Sequence, residues 1–188
     1  MKIGIIGLDD IAAKAYLPVL SEKEGIELVL CTRNTETLNR LSEKYRIQEK
    51  VPTVDELITK GIDAAFVSTA TEAHFEIAEK LLKSGIHTYI DKPISMSLQE
   101  TENIVKLAKE SGSIAMAGFN RRFIPKVNEL IEHGKASLIL MQKNRYSSPD
   151  FIRRSVVEDF IHVVEVRQFR QDNHFSIRFC SFYHIKFF

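Results

Sequence analysis

Met1–Ala12 reads MKIGIIGLDDIA, and the rest of the chain is organised around it. Lys2–Ile6 is a short Ile-rich run of the kind that forms a buried strand. Gly7-Leu8-Asp9-Asp10 is a turn, and Ile11–Leu17 has helical composition. Strand, glycine turn and helix in that order open a dinucleotide-binding βαβ unit. The unpaired N–H groups and partial positive charge of the helix end suit a pyrophosphate. Aligned on G-x-G-x-x-G/A, Gly7 takes the first position and Ala12 the third, but Asp9 replaces the second glycine. A β-carbon and a negative charge oppose close approach of the phosphates, so Asp9 is expected to weaken cofactor binding. By itself the stretch fits a nucleotide site and a purely structural βα turn equally well.

Composition narrows the class. The 188 residues suffice for one well-buried core with a second, smaller unit. Apolar residues make up 44% and charged residues 27%, ordinary for a globular protein. A formal net charge of +1 gives no electrostatic reason to expect nucleic acid or a membrane surface as partner. Two cysteines, Cys31 and Cys180, fit a reducing compartment rather than a disulfide framework. Met1 leads straight into a strand, and no apolar run approaches the roughly 18 residues of a membrane span. The expected location is the cytoplasm, and no metal site is expected.

Outward from the opening, strands and helices alternate. Ile26–Cys31 reads as a second strand and Thr35–Tyr45 as a helix. In a dinucleotide-binding unit an acidic residue commonly ends this strand, about 20 residues past the glycines, and binds the ribose 2′-hydroxyl. Here Thr32 and Arg33 stand there, and a guanidinium beside a hydroxyl suits a 2′-phosphate, favouring NADP over NAD. A solvated turn arginine is the plainer alternative. Val51–Val54 reads as a short extended piece, with Asp55 as cap for a helix from Glu56 to Lys60. Ile62–Ser68 is a core strand, and Thr71 is placed to cap the next helix, which Gly85 ends. His87–Ile90 is a strand that delivers Asp91-Lys92-Pro93. Ser97 with Glu100 forms a capping box, Gly112 closes that helix, and Ser113–Ala117 is a sixth strand. The alternation predicts an α/β fold, a parallel doubly wound Rossmann sheet over about residues 1–120. Ligands bind at the carboxyl ends of such strands. Asp9, Arg33, Ser68, Thr69, His74, Asp91-Lys92-Pro93, Asn120 and Arg121 all fall there or just beyond.

Four stretches carry a resemblance: GIIGLDDIA at 4–12, STATEAHFEIAEKLLKSG at 68–85, YIDKPIS at 89–95 and AGFNRRF at 117–123. In order and spacing they resemble the glucose-fructose oxidoreductase / inositol dehydrogenase (Gfo/Idh/MocA) family of NAD(P)-dependent sugar oxidoreductases. The resemblance implies that Lys92 of Asp91-Lys92-Pro93 matches the family's Glu-Lys-Pro lysine, which contacts substrate and cofactor. It also implies a cofactor site drawn from Gly7, Asp9, Ile11, Ala12, Thr32, Arg33, Ser68, Thr69, His74, Asp91, Lys92 and Asn120. His74 matches a position where a helix starts beside the cofactor, and simple helix capping is its other reading. The substrate implied is a sugar or polyol, and the resemblance admits a homo-oligomer.

The same resemblance implies a second α/β domain beginning over residues 121–168, with Ser137–Tyr146 as its first strand. Glu158–Glu165 is similar to the family's Asp-x-x-x-His stretch, so His162 takes the position of a proton-accepting histidine and Glu158 that of the aspartate. Glu158 is one methylene longer, and Asp159 is a substitute. The plainer alternative is a solvated helix face with His162 near a core. Residues 169–188, FRQDNHFSIRFCSFYHIKFF, hold seven aromatics and no Ala, Leu, Gly, Val or Glu. They read as an aberrant tail after a changed reading frame, or as an aromatic segment that docks on a partner. The second domain is therefore expected to be truncated. Two functions follow: hydride transfer between a nicotinamide and a sugar or polyol, or a nucleotide-binding remnant or regulatory module without turnover.

Overall fold

The structure, a computed structural model, describes residues 1–119 together with 123, 125, 126 and 129. Met1–Gly118 forms one compact unit; the second, Phe119–Phe188, lies almost wholly outside the described residues. So do the expected second domain over 121–168, the tail at 169–188, and Asn120, Glu158 and His162.

Six strands are described: β1 (Lys2–Ile6), β2 (Glu27–Cys31), β3 (Glu49–Val51), β4 (Ala64–Val67), β5 (His87–Ile90) and β6 (Ala115–Ala117). Every pair is parallel, and the order across the sheet is β3-β2-β1-β4-β5-β6. This is the doubly wound Rossmann order. β1 is central, with Ile5 opposite Leu30 on one side and Phe66 on the other. Its side chains alternate between two cores, as a strand covered on both faces requires. Ile3 and Ile5 join Leu17, Leu30, Leu38 and Leu41 on one face, while Ile6 joins Val29, Leu57, Val67 and Leu81 on the other.

Within Met1–Gly118 the α-helices are α1 (Leu17–Leu20), α2 (Thr35–Tyr45), α3 (Val54–Thr59), α4 (His74–Lys83) and α5 (Leu98–Ser111). A third core, with Ala78, Leu82, Ile90, Ile104 and Ala108, joins α4 to α5. Gly4 brings β1 and α3 together, since a β-carbon there would lie 2.7 Å from Leu57 Cδ2.

Local endings differ from the sequence reading in several places. The first helix opens with a π-helical turn, Ala12–Tyr16, before α1. Thr53, not Asp55, caps α3: its Oγ1 accepts from the Glu56 N–H at 3.2 Å and donates to Glu56 Oε1 at 2.9 Å. Asp55 instead lies 3.2 Å from Lys80 Nζ, and the extended piece is Glu49–Val51 rather than Val51–Val54. Thr71 caps nothing, because a 3-10 turn, Thr71–Ala73, precedes α4 and Ala70 holds the cap position. The sixth strand starts two residues late, at Ala115. Ser97 does cap α5, although Glu100 Oε2 reaches back to the Met96 N–H rather than to that of Ser97.

Candidate functional site

In this strand order the chain reverses direction across the sheet between β1 and β4, and a crevice for ligands opens at their carboxyl ends. Gly7 lies there with φ +81°, and a β-carbon on it would come within 2.8 Å of the Ser68 carbonyl and the Thr69 nitrogen. Only glycine meets both conditions. Its N–H donates to Cys31 O at 3.1 Å, and the Ser68 N–H donates to Ile6 O at 2.9 Å. The Ser68 hydroxyl, 4% exposed, is turned inward to Gly7 O at 2.9 Å. Gly7 and Ser68 thus stitch β1, β2 and β4 into a floor.

Over that floor the helix end carries no side-chain cap. Ile11 holds the cap position with φ −70° and ψ −42° and supplies no acceptor. Ala12 is wholly buried, as the close helix-to-strand packing at the third fingerprint position requires. Asp9 and Asp10 are exposed; Asp10 is held 2.6 Å from Lys14. Past β2, Thr32 Oγ1 accepts from the Asn34 N–H, and Arg33 is exposed with no ion pair among the described residues. A cavity of about 420 Å³ lies between the glycine turn and α2, lined by Leu8, Asp9, Asp10, Ala13, Thr37 and Arg40.

Past β5 the Asp91 N–H donates to Val67 O at 2.9 Å, and Asp91 Oδ1 accepts from the Lys92 N–H at 2.8 Å. The Lys92–Pro93 bond is cis. Lys92 is half-buried and makes no ion pair among the described residues. Gly118 seats the end of β6 on this turn: its N–H donates to Ile90 O at 2.7 Å, and a β-carbon would lie 3.1 Å from Asp91 Cα. Beneath, the Tyr16, Phe66 and Tyr89 rings pack with centroids 4.7 to 5.8 Å apart. Tyr16 Oη is shut off from solvent without a hydrogen bond of good geometry. Burial first, then the nearby Tyr89 hydroxyl and Asp91 carboxylate, push its pKa well above that of an ordinary tyrosine. His74 is 1% exposed, its Nδ1 2.9 Å from Pro93 O and its Nε2 2.9 Å from Thr69 O.

The carboxyl ends of β1, β2, β4 and β5 therefore collect Gly7, Asp9, Ile11, Ala12, Thr32, Arg33, Ser68, Thr69, Asp91 and Lys92. His74 sits behind that rim, engaged with two main-chain carbonyls of other segments. Sequence reasoning passed over Thr37 and Arg40, whose signal was their spacing of three on the helix after Arg33. It also passed over Tyr16, which nothing local distinguishes from an ordinary core aromatic.

Residues 1–119 match the model of the oxidoreductase family with an NAD-binding Rossmann fold. The chain is 37% identical over 171 residues to YceM of Salmonella typhimurium, which bears an oxidoreductase's name; the match covers 88% of this chain and 54% of YceM. It is 28% identical over 138 residues to the myo-inositol 2-dehydrogenase of Thermotoga maritima, covering 71% and 41%. Among solved structures it resembles a Gfo/Idh/MocA family oxidoreductase from Vibrio cholerae, at 43% identity and TM-score 0.68, covering 71% and 43%. It also resembles the dehydrogenase MviM from Clostridium difficile, at 31% identity and TM-score 0.75, covering 88% and 55%. A third is the 3-ketoreductase KijD10 from Actinomadura kijaniata, solved with NADP, at 25% identity and TM-score 0.66, covering 70% and 41%. The chain spans about half the length of the curated relatives it matches. Among the described residues no helix is long and apolar enough to cross a membrane.

Proposed function

The chain belongs to the Gfo/Idh/MocA oxidoreductase family, and on that premise we propose that it binds NADP(H) in the crevice between β1 and β4 and transfers hydride to or from a sugar or polyol carbon. The observation that carries this reading is the Asp91-Lys92-Pro93 turn at the carboxyl end of β5, with a half-buried lysine that has no ion pair among the described residues. Fit to a dinucleotide is mixed but favourable. The glycine cradle at Gly7, the uncapped helix end and the buried Ala12 suit a pyrophosphate. Asp9 opposes it with a carboxylate.

When bound, the nicotinamide supplies the carbon that gains or loses the hydride. The Lys92 ammonium, a donor with no acceptor capacity, holds a substrate hydroxyl and fixes its direction. His162 accepts that hydroxyl's proton, with Glu158 orienting it. Arg33, exposed after a strand that ends without a carboxylate, would hold a 2′-phosphate.

The test is NADP-dependent oxidation of a panel of polyols and sugars by the wild type and Lys92→Ala. The reading expects turnover in the wild type and a loss of at least about a hundredfold in the variant, in line with removal of a positioned proton-handling group. Equal turnover in both would refute the assignment of Lys92. Asp9 favours a second reading, a nucleotide-binding module without turnover; cofactor binding with no turnover on any substrate would select it.

A further inference from the structure

His74 is buried behind the rim, and its two contacts are unusual together. Both are carbonyl oxygens, each at 2.9 Å: Thr69 O on Nε2 and Pro93 O on Nδ1. A carbonyl oxygen only accepts, so each contact is a hydrogen bond only where that nitrogen carries a proton. With the ring 1% exposed, water is not there to serve a ring nitrogen left unmet, and such a group costs more than the bond itself contributes. Capping does not explain the ring, since neither nitrogen meets a helix N–H.

The two carbonyls belong to segments that leave adjacent strands. Thr69 lies two residues past β4, and Pro93 three residues past β5. β4 and β5 pair in register through Val67 and Ile90, but their pairing stops there, and the segments beyond form the crevice wall. Lys92 lies within one of them. Its N–H is held by Asp91 Oδ1, and the carbonyl of the next residue is held by His74. The main chain on both sides of the Lys92 side chain is therefore fixed, on one side by a carboxylate and on the other by an imidazole.

We propose that His74 is a positioning residue which, bridging Thr69 O and Pro93 O through its two ring nitrogens, straps the segment after β4 to the segment after β5 and so aims Lys92 at the crevice. This deepens the proposed function and rests on it only for the importance of Lys92. The ring itself touches neither cofactor nor substrate.

The test uses the full 188-residue chain. In long-range proton–nitrogen spectra a ring N–H of His74 is expected to be visible and to exchange slowly with water, the signal being assigned by its loss in His74→Gln. A ring N–H that exchanges as fast as that of a solvated histidine overturns the strap. In hydrogen exchange, His74→Phe keeps a ring but removes both nitrogens. The amide of Lys92, bonded to Asp91 Oδ1, should then exchange about tenfold faster, while those of β4 and β5 keep their protection. His74→Gln, with a single donor group, should fall between. Unchanged exchange in His74→Phe refutes the strap; should that variant not fold, the wild-type spectrum and His74→Gln decide alone. Lys92→Ala should leave the amide at position 92 as protected as in the wild type. A failure of Lys92→Ala to affect turnover would remove the proposed function while these exchange results still judged the strap.

Discussion

Two glycines on the same strand-and-turn unit differ in what holds them there. At Gly7 a side chain would meet main chain within 2.8 Å at φ +81°, whereas at Gly4 it would meet only the far ends of the Leu57 and Ile62 side chains. Gly7→Ala is therefore expected to cost about 3 kcal/mol of unfolding free energy, from backbone strain and a clash that cannot move aside. Gly4→Ala is expected to cost about 1 kcal/mol, since a leucine rotamer can yield. Denaturant melts of the two variants check this, and equal losses would mean that the Gly7 turn takes another path. The importance of Gly7 was legible in the sequence from its place in the fingerprint. That of Ser68, whose hydroxyl is spent on the main chain of the neighbouring strand, was legible only as a rim position. Nothing local says which way a serine at a strand end turns. Cys31 belongs to the same class. Burial, and then the charge of Glu56, push its thiol up to about 12, which makes it an inert core residue.

Among the elements, regular strands and helices were legible from alternation and from capping chemistry, and the mistakes fall where two local signals compete. Thr53-Val54-Asp55-Glu56 is a capping box. Reading Val51–Val54 as extended ran past Thr53 and handed the cap to Asp55. Thr53→Ala is expected to destabilise by about 1 kcal/mol. Asp55→Ala, which loses only an exposed pair with Lys80, should lose less than about 0.5 kcal/mol. Thermal melts that reversed this order would return the cap to Asp55. The π-helical turn at Ala12–Tyr16 had no sequence signal, because the pattern of apolar residues is the same with one extra residue in the turn. Such turns are frequent at functional sites, and this one carries the helix end over Gly7. The cavity beside Thr37 and Arg40 was hidden for a related reason. It exists only because α2 lies against the glycine turn, a relation between elements far apart in sequence.

At the scale of the whole molecule, the doubly wound order was legible because six strands alternate with helices and the fingerprint opens the chain. The reversal at β1 and β4 then follows from how such sheets are wound. Stability should respond to pH through the buried groups that the two faces enclose. Cys31 has its pKa raised from about 9 to about 12, and Tyr16 has its own raised above about 10. Below pH 9 both hold their protons in folded and unfolded chains alike. Above it the unfolded chain releases protons that the native state keeps, so stability falls as pH rises. Cys31→Ala and Tyr16→Phe should each flatten the decline between pH 9 and pH 11, whatever their stability at pH 7. An unchanged slope in both would contradict the burial that the sheet imposes. The central claim, that this sheet end is a dinucleotide site tuned to a 2′-phosphate, is tested most directly by titrating NADPH and NADH against the wild type and Arg33→Ala and following cofactor fluorescence. The account predicts saturable binding of both in the wild type, NADPH the tighter by about tenfold, as one lost charge-assisted contact allows, and a ratio near one in Arg33→Ala. An unaltered ratio would contradict the role of Arg33, and no binding of either cofactor would contradict the site itself.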